Sequence, residues 1–151
     1  MIKLARATDT DLTEISAFLR IADLTLSGLD CATVHLWISR DETAGQIVAT
    51  TGYEISDDGN HALIRSVAVD AERRGAGFGL GLAQFAMEKA AEAGAKQAWL
   101  FSRRSGPFWQ KVGFTPAATK DLAAALASTH QVQLFTETGQ LGREVAWSRH
   151  F

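Results

Sequence analysis

The chain has 151 residues, enough for one domain with a core of its own, and 46% of them are hydrophobic while 21% are charged. Its net charge of −2 excludes a basic nucleic-acid footprint spread over the surface, and its one cysteine, Cys31, excludes an intrachain disulfide and any multi-cysteine zinc site. No apolar run approaches the roughly 20 residues that span a bilayer, and Met1-Ile2-Lys3-Leu4-Ala5-Arg6 lacks the apolar core of a signal peptide. The expectation is one domain over residues 1–151, cytoplasmic, with neither nucleic acid nor membrane as a partner.

In chain order, residues 2–6 alternate like a short strand. Thr8 to Asp11 offer helix caps, and Leu12, Ile15, Phe18, Leu19 and Ala22 follow at helical spacing until Ser27-Gly28 breaks the pattern. Strands are predicted over 34–40, 46–55 and 61–69, the last two joined by the hairpin signal Asp57-Asp58-Gly59-Asn60. A helix is predicted over 78–93 with Gly94 closing it, then a strand over 97–102. A short helix over 107–113 has Pro107 in its first turn. An Ala/Leu-rich helix over 120–128 and a final strand over 143–149 complete the reading, with 130–142 unassigned. Antiparallel strands before the central helix and a crossover after it describe an α/β fold, an α+β mixed sheet with flanking helices.

The most informative stretch joins the strand ending Val67-Ala68-Val69 to the helix starting near Phe78. Between them lies Arg73-Arg74-Gly75-Ala76-Gly77-Phe78-Gly79-Leu80, a basic, glycine-rich turn. Unpaired backbone N–H groups at a helix N-terminus bind anions, phosphates above all. A dinucleotide fingerprint fails because the sixth position from Gly75 is Leu80, and a Walker A motif fails because Gly-Lys-Ser/Thr is absent.

Arg74-x-x-Gly77-x-Gly79, set between a strand and a helix, resembles the signature of the GNAT acyltransferase superfamily. Phe108-Trp109-Gln110-Lys111-Val112-Gly113-Phe114 is similar to that superfamily's F-Y-x-K-x-G-F segment at the expected distance. The resemblance spans about Leu63 to Phe114 and implies a GNAT-like fold whose Val69-bearing and Trp99-bearing strands splay into a cleft for acetyl-CoA. It implies that backbone groups of Val67, Ala68 and Val69 hold the pantetheine arm. Amides from Gly75 through Ala76, Gly77, Phe78 and Gly79 to Leu80, with Arg74 and Arg73, would hold the pyrophosphate. Ser102 and Phe108 complete the implied cosubstrate site. No metal is called for, and the implied reaction is acetyl transfer to the amine of a small molecule.

The chemical half of the site departs from the family. Trp109 stands where many members have a tyrosine acid, and Tyr53, the chain's one tyrosine, lies on another strand. The general-acid role is left open, with water or direct departure of the thiolate as its replacements. Glu54 is a candidate general base, and it equally suits a cross-strand ion pair with Arg65. His35 and His61 are alternatives, and Arg65 and Ser66 are candidates for contacting the acceptor. Arg103 and Arg104 read as solvated residues more than as phosphate contacts. A narrower likeness, carried by Leu26-Ser27-Gly28-Leu29, Gly52-Tyr53-Glu54 and 63–69, is to small N-acetyltransferases found with arsenic-resistance genes. The cysteine-proline pair common in those proteins is missing, so thiol capture of arsenic has no support. A non-catalytic acyl-CoA-binding module stays open beside the enzyme, as does a homodimer.

Overall fold

A computed structural model describes residues 3–75 and 77–151. The elements run β1 (Ala5–Arg6), α1 (Leu12–Ile21), β2 (Val34–Arg40), β3 (Ile47–Ile55), β4 (His61–Val69), α2 (Phe78–Glu92), β5 (Gln97–Phe101), α3 (Gly106–Lys111), β6 (Thr115–Ala117), α4 (Thr119–Ala125), α5 (His130–Thr138) and β7 (Ala146–His150). The seven strands form one sheet in the order β1-β2-β3-β4-β5-β7-β6. Among the described residues only β4 and β5 pair in parallel; the other neighbours are antiparallel. This is the mixed, mostly antiparallel α/β sheet expected from the sequence.

Side chains on a strand alternate between the two faces of the sheet, and the core divides accordingly. Ala62 and Ile64 of β4, Ala98 and Leu100 of β5 and Trp37 of β2 pack with Ala83, Ala86, Met87 and Ala90 of α2. Alanines on that helix face let it lie close to the sheet, and Thr51 Oγ1 donates to the Leu82 carbonyl at 2.8 Å. On the opposite face Leu36 and Ile38 meet Ile15 and Leu19 of α1. Leu63 and Trp99 meet Leu122 and Leu126 at α4 and Val132 of α5. Helix α2 ends as foreseen: Gly94 takes φ +102°, and Ala95 N–H returns to the Ala90 carbonyl at 3.1 Å.

Several boundaries differ from the sequence reading. The segment left unassigned holds α5, and residues 140–143 form a short 3₁₀ turn, so the last strand starts at Ala146. Strand β6 was not foreseen; Pro116 suits it because β6 is the sheet edge, where a missing N–H costs no ladder bond.

Candidate active site

Strands β4 and β5 are paired at His61↔Gln97, Ala62↔Ala98 and Leu63↔Trp99, and there the ladder stops. Beyond Leu63, β4 keeps β3 on one side, through Ala49↔Val69, while its other edge turns away from β5. The expected splay is therefore present. The ladder with β3 is itself broken, since Thr50 pairs with Ala68 but Gly52 already pairs with Arg65. Ser66 absorbs the extra residue at φ +60°, a left-handed conformation unusual for a non-glycine residue. Thr50 Oγ1 fixes the bulge by donating to the Ser66 carbonyl at 2.6 Å.

The splay opens a cleft of about 710 Å³. Of the cosubstrate residues expected from the sequence, Val67, Ala68, Val69, Arg74, Gly79, Ser102 and Phe108 line it. Arg73 does not. It pairs with Asp41, and with Asp70 at 3.1 Å, and faces a second cavity that it shares with Phe78. Gly75 and Gly77 lie in the turn before α2, Leu80 lies in the first turn of that helix, and Ala76 falls outside the described residues. Gly75 and Gly77 both have positive φ, at +86° and +81°, and a Cβ built on either would meet no atom within 4 Å. The turn leaves open space in front of α2, whose N-cap is Gly77 and whose first amides have no side-chain cap.

The far wall of the cleft comes from the loop after α1 (Asp23, Leu24, Thr25), the β5–α3 loop (Arg103, Arg104) and α5 (Gln131, Leu134, Phe135). Arg103 Nε meets Glu144 at 3.2 Å, and Arg104 meets Asp23 at 2.5 Å across the rim. Both guanidinium groups thus carry their own carboxylate. Gln131, which sequence reasoning missed, has a buried Oε1 with no hydrogen-bond partner.

Glu54, Arg65 and Ser66, the candidate catalytic and acceptor residues, do not line the cleft, and the Glu54–Arg65 pair of the sequence reading is formed. Glu54 and Arg65 form an ion pair at 2.9 Å, with side chains 1% and 0% exposed, and neither lines the cleft. Glu54 Oε1 accepts from His130 N–H at 2.7 Å, and Oε2 accepts from Arg65 and from Gln131 N–H at 3.4 Å. Arg65 also donates to Ser66 Oγ at 3.3 Å and to the Thr25 carbonyl at 3.4 Å. Burial pushes the Arg65 guanidinium below its usual range, and the charge of and hydrogen bond to Glu54 oppose that shift. A carboxylate so enclosed and so fully donated to is placed as an ion-pair partner, not as a base open to an amine. Ser66 is buried too, so direct acceptor contact by Arg65 or Ser66 is not available in this arrangement.

The alternatives are no closer. Tyr53 stacks on His35 at 4.7 Å, and burial raises its hydroxyl above the ordinary value. His61 Nδ1 accepts from Trp99 Nε1 at 3.0 Å. Trp109 does line the cleft, packed edge-on against Phe108 and Phe114. Among the described residues no cluster of His, Cys, Asp or Glu could hold a metal ion.

The sequence model of the acetyltransferase (GNAT) family matches residues 6–114. The chain belongs to the acetyltransferase (GNAT) family. No curated protein matches it significantly. Solved structures share the GNAT fold. The N-acetylglutamate synthase of Neisseria gonorrhoeae, complexed with coenzyme A and N-acetyl-glutamate, superposes with a TM-score of 0.80 at 16% identity, over 99% of this chain and 35% of that one. This chain thus spans about a third of the synthase. Rv2747 of Mycobacterium tuberculosis, in complex with CoA, gives 0.69 at 14% identity over 99% of both chains. A GNAT-family acetyltransferase of Staphylococcus aureus gives 0.74 at 13% identity, again over 99% of both. At such identities the likeness is one of fold.

Proposed function

We propose that this GNAT-family enzyme transfers an acetyl group from acetyl-CoA to the amine of a small molecule. One observation carries the reading: the unpaired edge of β4 runs into a glycine turn at a helix N-terminus, with Arg74 lining the same cleft. An unpaired strand edge accepts an extended, amide-bearing chain as an added strand, which suits pantetheine. Uncapped amides at the start of α2, a guanidinium and open space at Gly75 and Gly77 suit a pyrophosphate. Acetyl-CoA supplies the activated thioester. Two of the fold's relatives were crystallised with coenzyme A, in one case beside N-acetyl-glutamate, which supports a small-molecule acceptor.

In this reading Val67 to Val69 orient the donor and Arg74 neutralises its phosphates. Phe101, Phe108 and Trp109 narrow the cleft around the reacting centre. The acceptor enters against the loop after α1 and α5. The lining carboxylates, Asp23 and Glu144, are each ion-paired with an arginine, so the amine's proton passes to water in the cleft and the thiolate leaves without a side-chain acid. A cytoplasmic setting belongs to the same proposal. Thiol release from acetyl-CoA in the presence of an amine panel tests it: turnover is expected, and tight cofactor binding without turnover for any amine argues against it.

Trp109 favours a second reading. A buried indole in the place of an acid is what a non-catalytic acyl-CoA-binding module would carry. Trp109→Tyr separates the two, since an enzyme limited by thiolate departure gains rate while a binding module gains none.

A further inference from the structure

Three segments border the acceptor side of the cleft: the loop after α1, the bulge in β4 and the start of α5. Each is tied to the same buried pair. Arg65 reaches the Thr25 carbonyl, 40 residues away, and the Ser66 hydroxyl in the bulge. Glu54 takes the His130 and Gln131 amides, 76 and 77 residues away. Thr129, the N-cap of α5, makes no side-chain cap bond with the first turn; its hydroxyl turns back to the Leu126 carbonyl at 2.7 Å. The helix that carries Gln131 is therefore capped from the sheet. A second contact runs in parallel: Gly28 lies so close to His130 that a Cβ there would sit 2.5 Å from the imidazole.

We infer that Glu54 and Arg65 are positioning residues that lock the loop after α1 and α5 onto the β4 bulge, fixing the acceptor half of the cleft relative to the donor half. The kinetic part of this inference rests on the acetyltransferase reading; the structural part does not. An arginine and two amides occupy three of the roughly four acceptor sites of the Glu54 carboxylate, which is buried outside the cleft lining, whereas a base needs a free site open to the amine. The network also explains why two charges are buried where an apolar pair would pack as well. Directional bonds tie the loop after α1 and the start of α5, which no strand ladder reaches, to the bulge in β4.

The test compares Glu54→Gln, His130→Pro and His130→Ala by amide hydrogen exchange. Glu54→Gln removes the charge and half the acceptor capacity. Proline at the first position of a helix is well tolerated, and Thr129 already has the extended ψ of 149° that a residue before proline prefers. His130→Pro thus deletes the N–H that Glu54 receives and leaves the ion pair intact, so it stands even if Glu54→Gln fails to fold. His130→Ala controls for the lost imidazole.

Glu54→Gln is expected to speed exchange in residues 22–26 and 131–138, and His130→Pro in residues 131–138, about tenfold or more relative to His130→Ala, with α2 unchanged. Both are expected to raise the KM for the best amine of the panel and leave the KM for acetyl-CoA alone. Unchanged exchange in both segments overturns the inference. So does a fall in kcat with unchanged acceptor KM that is confined to Glu54→Gln, which would make Glu54 a base. A wild-type chain that binds no coenzyme A would instead defeat the acetyltransferase reading, with the exchange result still deciding this one.

Discussion

Arg73 and Arg74 are neighbours in the chain, yet their guanidinium groups serve different cavities. Arg73 is held by Asp41 and Asp70, whereas Arg74 lines the cleft and donates to the Val69 carbonyl at 3.3 Å. Only the second is free to meet a phosphate. Arg74→Ala is expected to weaken coenzyme A binding about ten- to a hundredfold, the range for a lost charge-assisted hydrogen bond. Arg73→Ala should leave affinity near wild type and cost less than about 1 kcal/mol of stability, because its ion pairs are partly exposed. Calorimetry and urea unfolding on the two variants check this.

The glycine turn makes a conformational demand as well as a spatial one. Gly77 sits at φ +81° with empty space where a side chain would go. A branched residue there would be strained by about 1–2 kcal/mol and would stand in the path assigned to the pyrophosphate. Gly77→Val is expected to abolish measurable coenzyme A binding while the chain stays folded. Unchanged affinity would show that the phosphates lie elsewhere.

Gln131 lines the cleft, and its buried Oε1 has no hydrogen-bond partner among the described residues. An unpaired buried acceptor costs about 1–3 kcal/mol, so a donor from the acceptor molecule would relieve it. Gln131→Leu is expected to raise the acceptor KM about tenfold and leave the acetyl-CoA KM unchanged, in steady-state kinetics with the best amine of the panel.

His35 gives stability a dependence on pH near neutrality. Burial, then the nearby Arg6 charge, lowers its pKa below the ordinary imidazole value. Arg6 Nη2 lies 2.8 Å from its Nδ1. The depressed folded-state value means the unfolded chain takes up the proton first. The contribution is therefore complete above the ordinary value of about 6.5 and is lost as pH falls through the folded-state value. Urea midpoints should drop between pH 7 and pH 5 in the wild type, and the drop should shrink in His35→Gln.

Gly52 tests the sheet itself. A Cβ there would lie 2.3 Å from the His35 carbonyl oxygen and 2.6 Å from Leu36 Cδ2, and the first of these is backbone of the paired strand. Gly52→Ala is expected to cost more than about 2 kcal/mol, read from chemical denaturation.

How legible each part was follows from the range of the forces that make it. The glycine turn, the hairpin at residues 57–60 and the Gly94 helix end are local: Asp58 Oδ1, for instance, accepts from Ser56 Oγ and Asn60 N–H within two residues on either side. Helix α5 is hard to read from sequence because its N-terminal donors are met by Glu54, far off in the chain, while the N-cap residue Thr129 turns its hydroxyl back to the Leu126 carbonyl. The cross-strand pairing of Glu54 with Arg65 is legible from the hairpin, but their enclosure involves contacts from α5 and from the loop after α1, distant in the chain. Arg73 and Arg74 look alike in sequence and were separated only by where Asp41 comes to lie.

The central claim is that the cleft between β4 and β5 is a coenzyme A site, and calorimetric titration of the chain with coenzyme A tests it most directly. One molecule is expected to bind per chain with micromolar or tighter affinity, and that binding is expected to be lost in Gly77→Val. An absence of binding heat across temperatures, or affinity indifferent to Gly77→Val and Arg74→Ala alike, would contradict it.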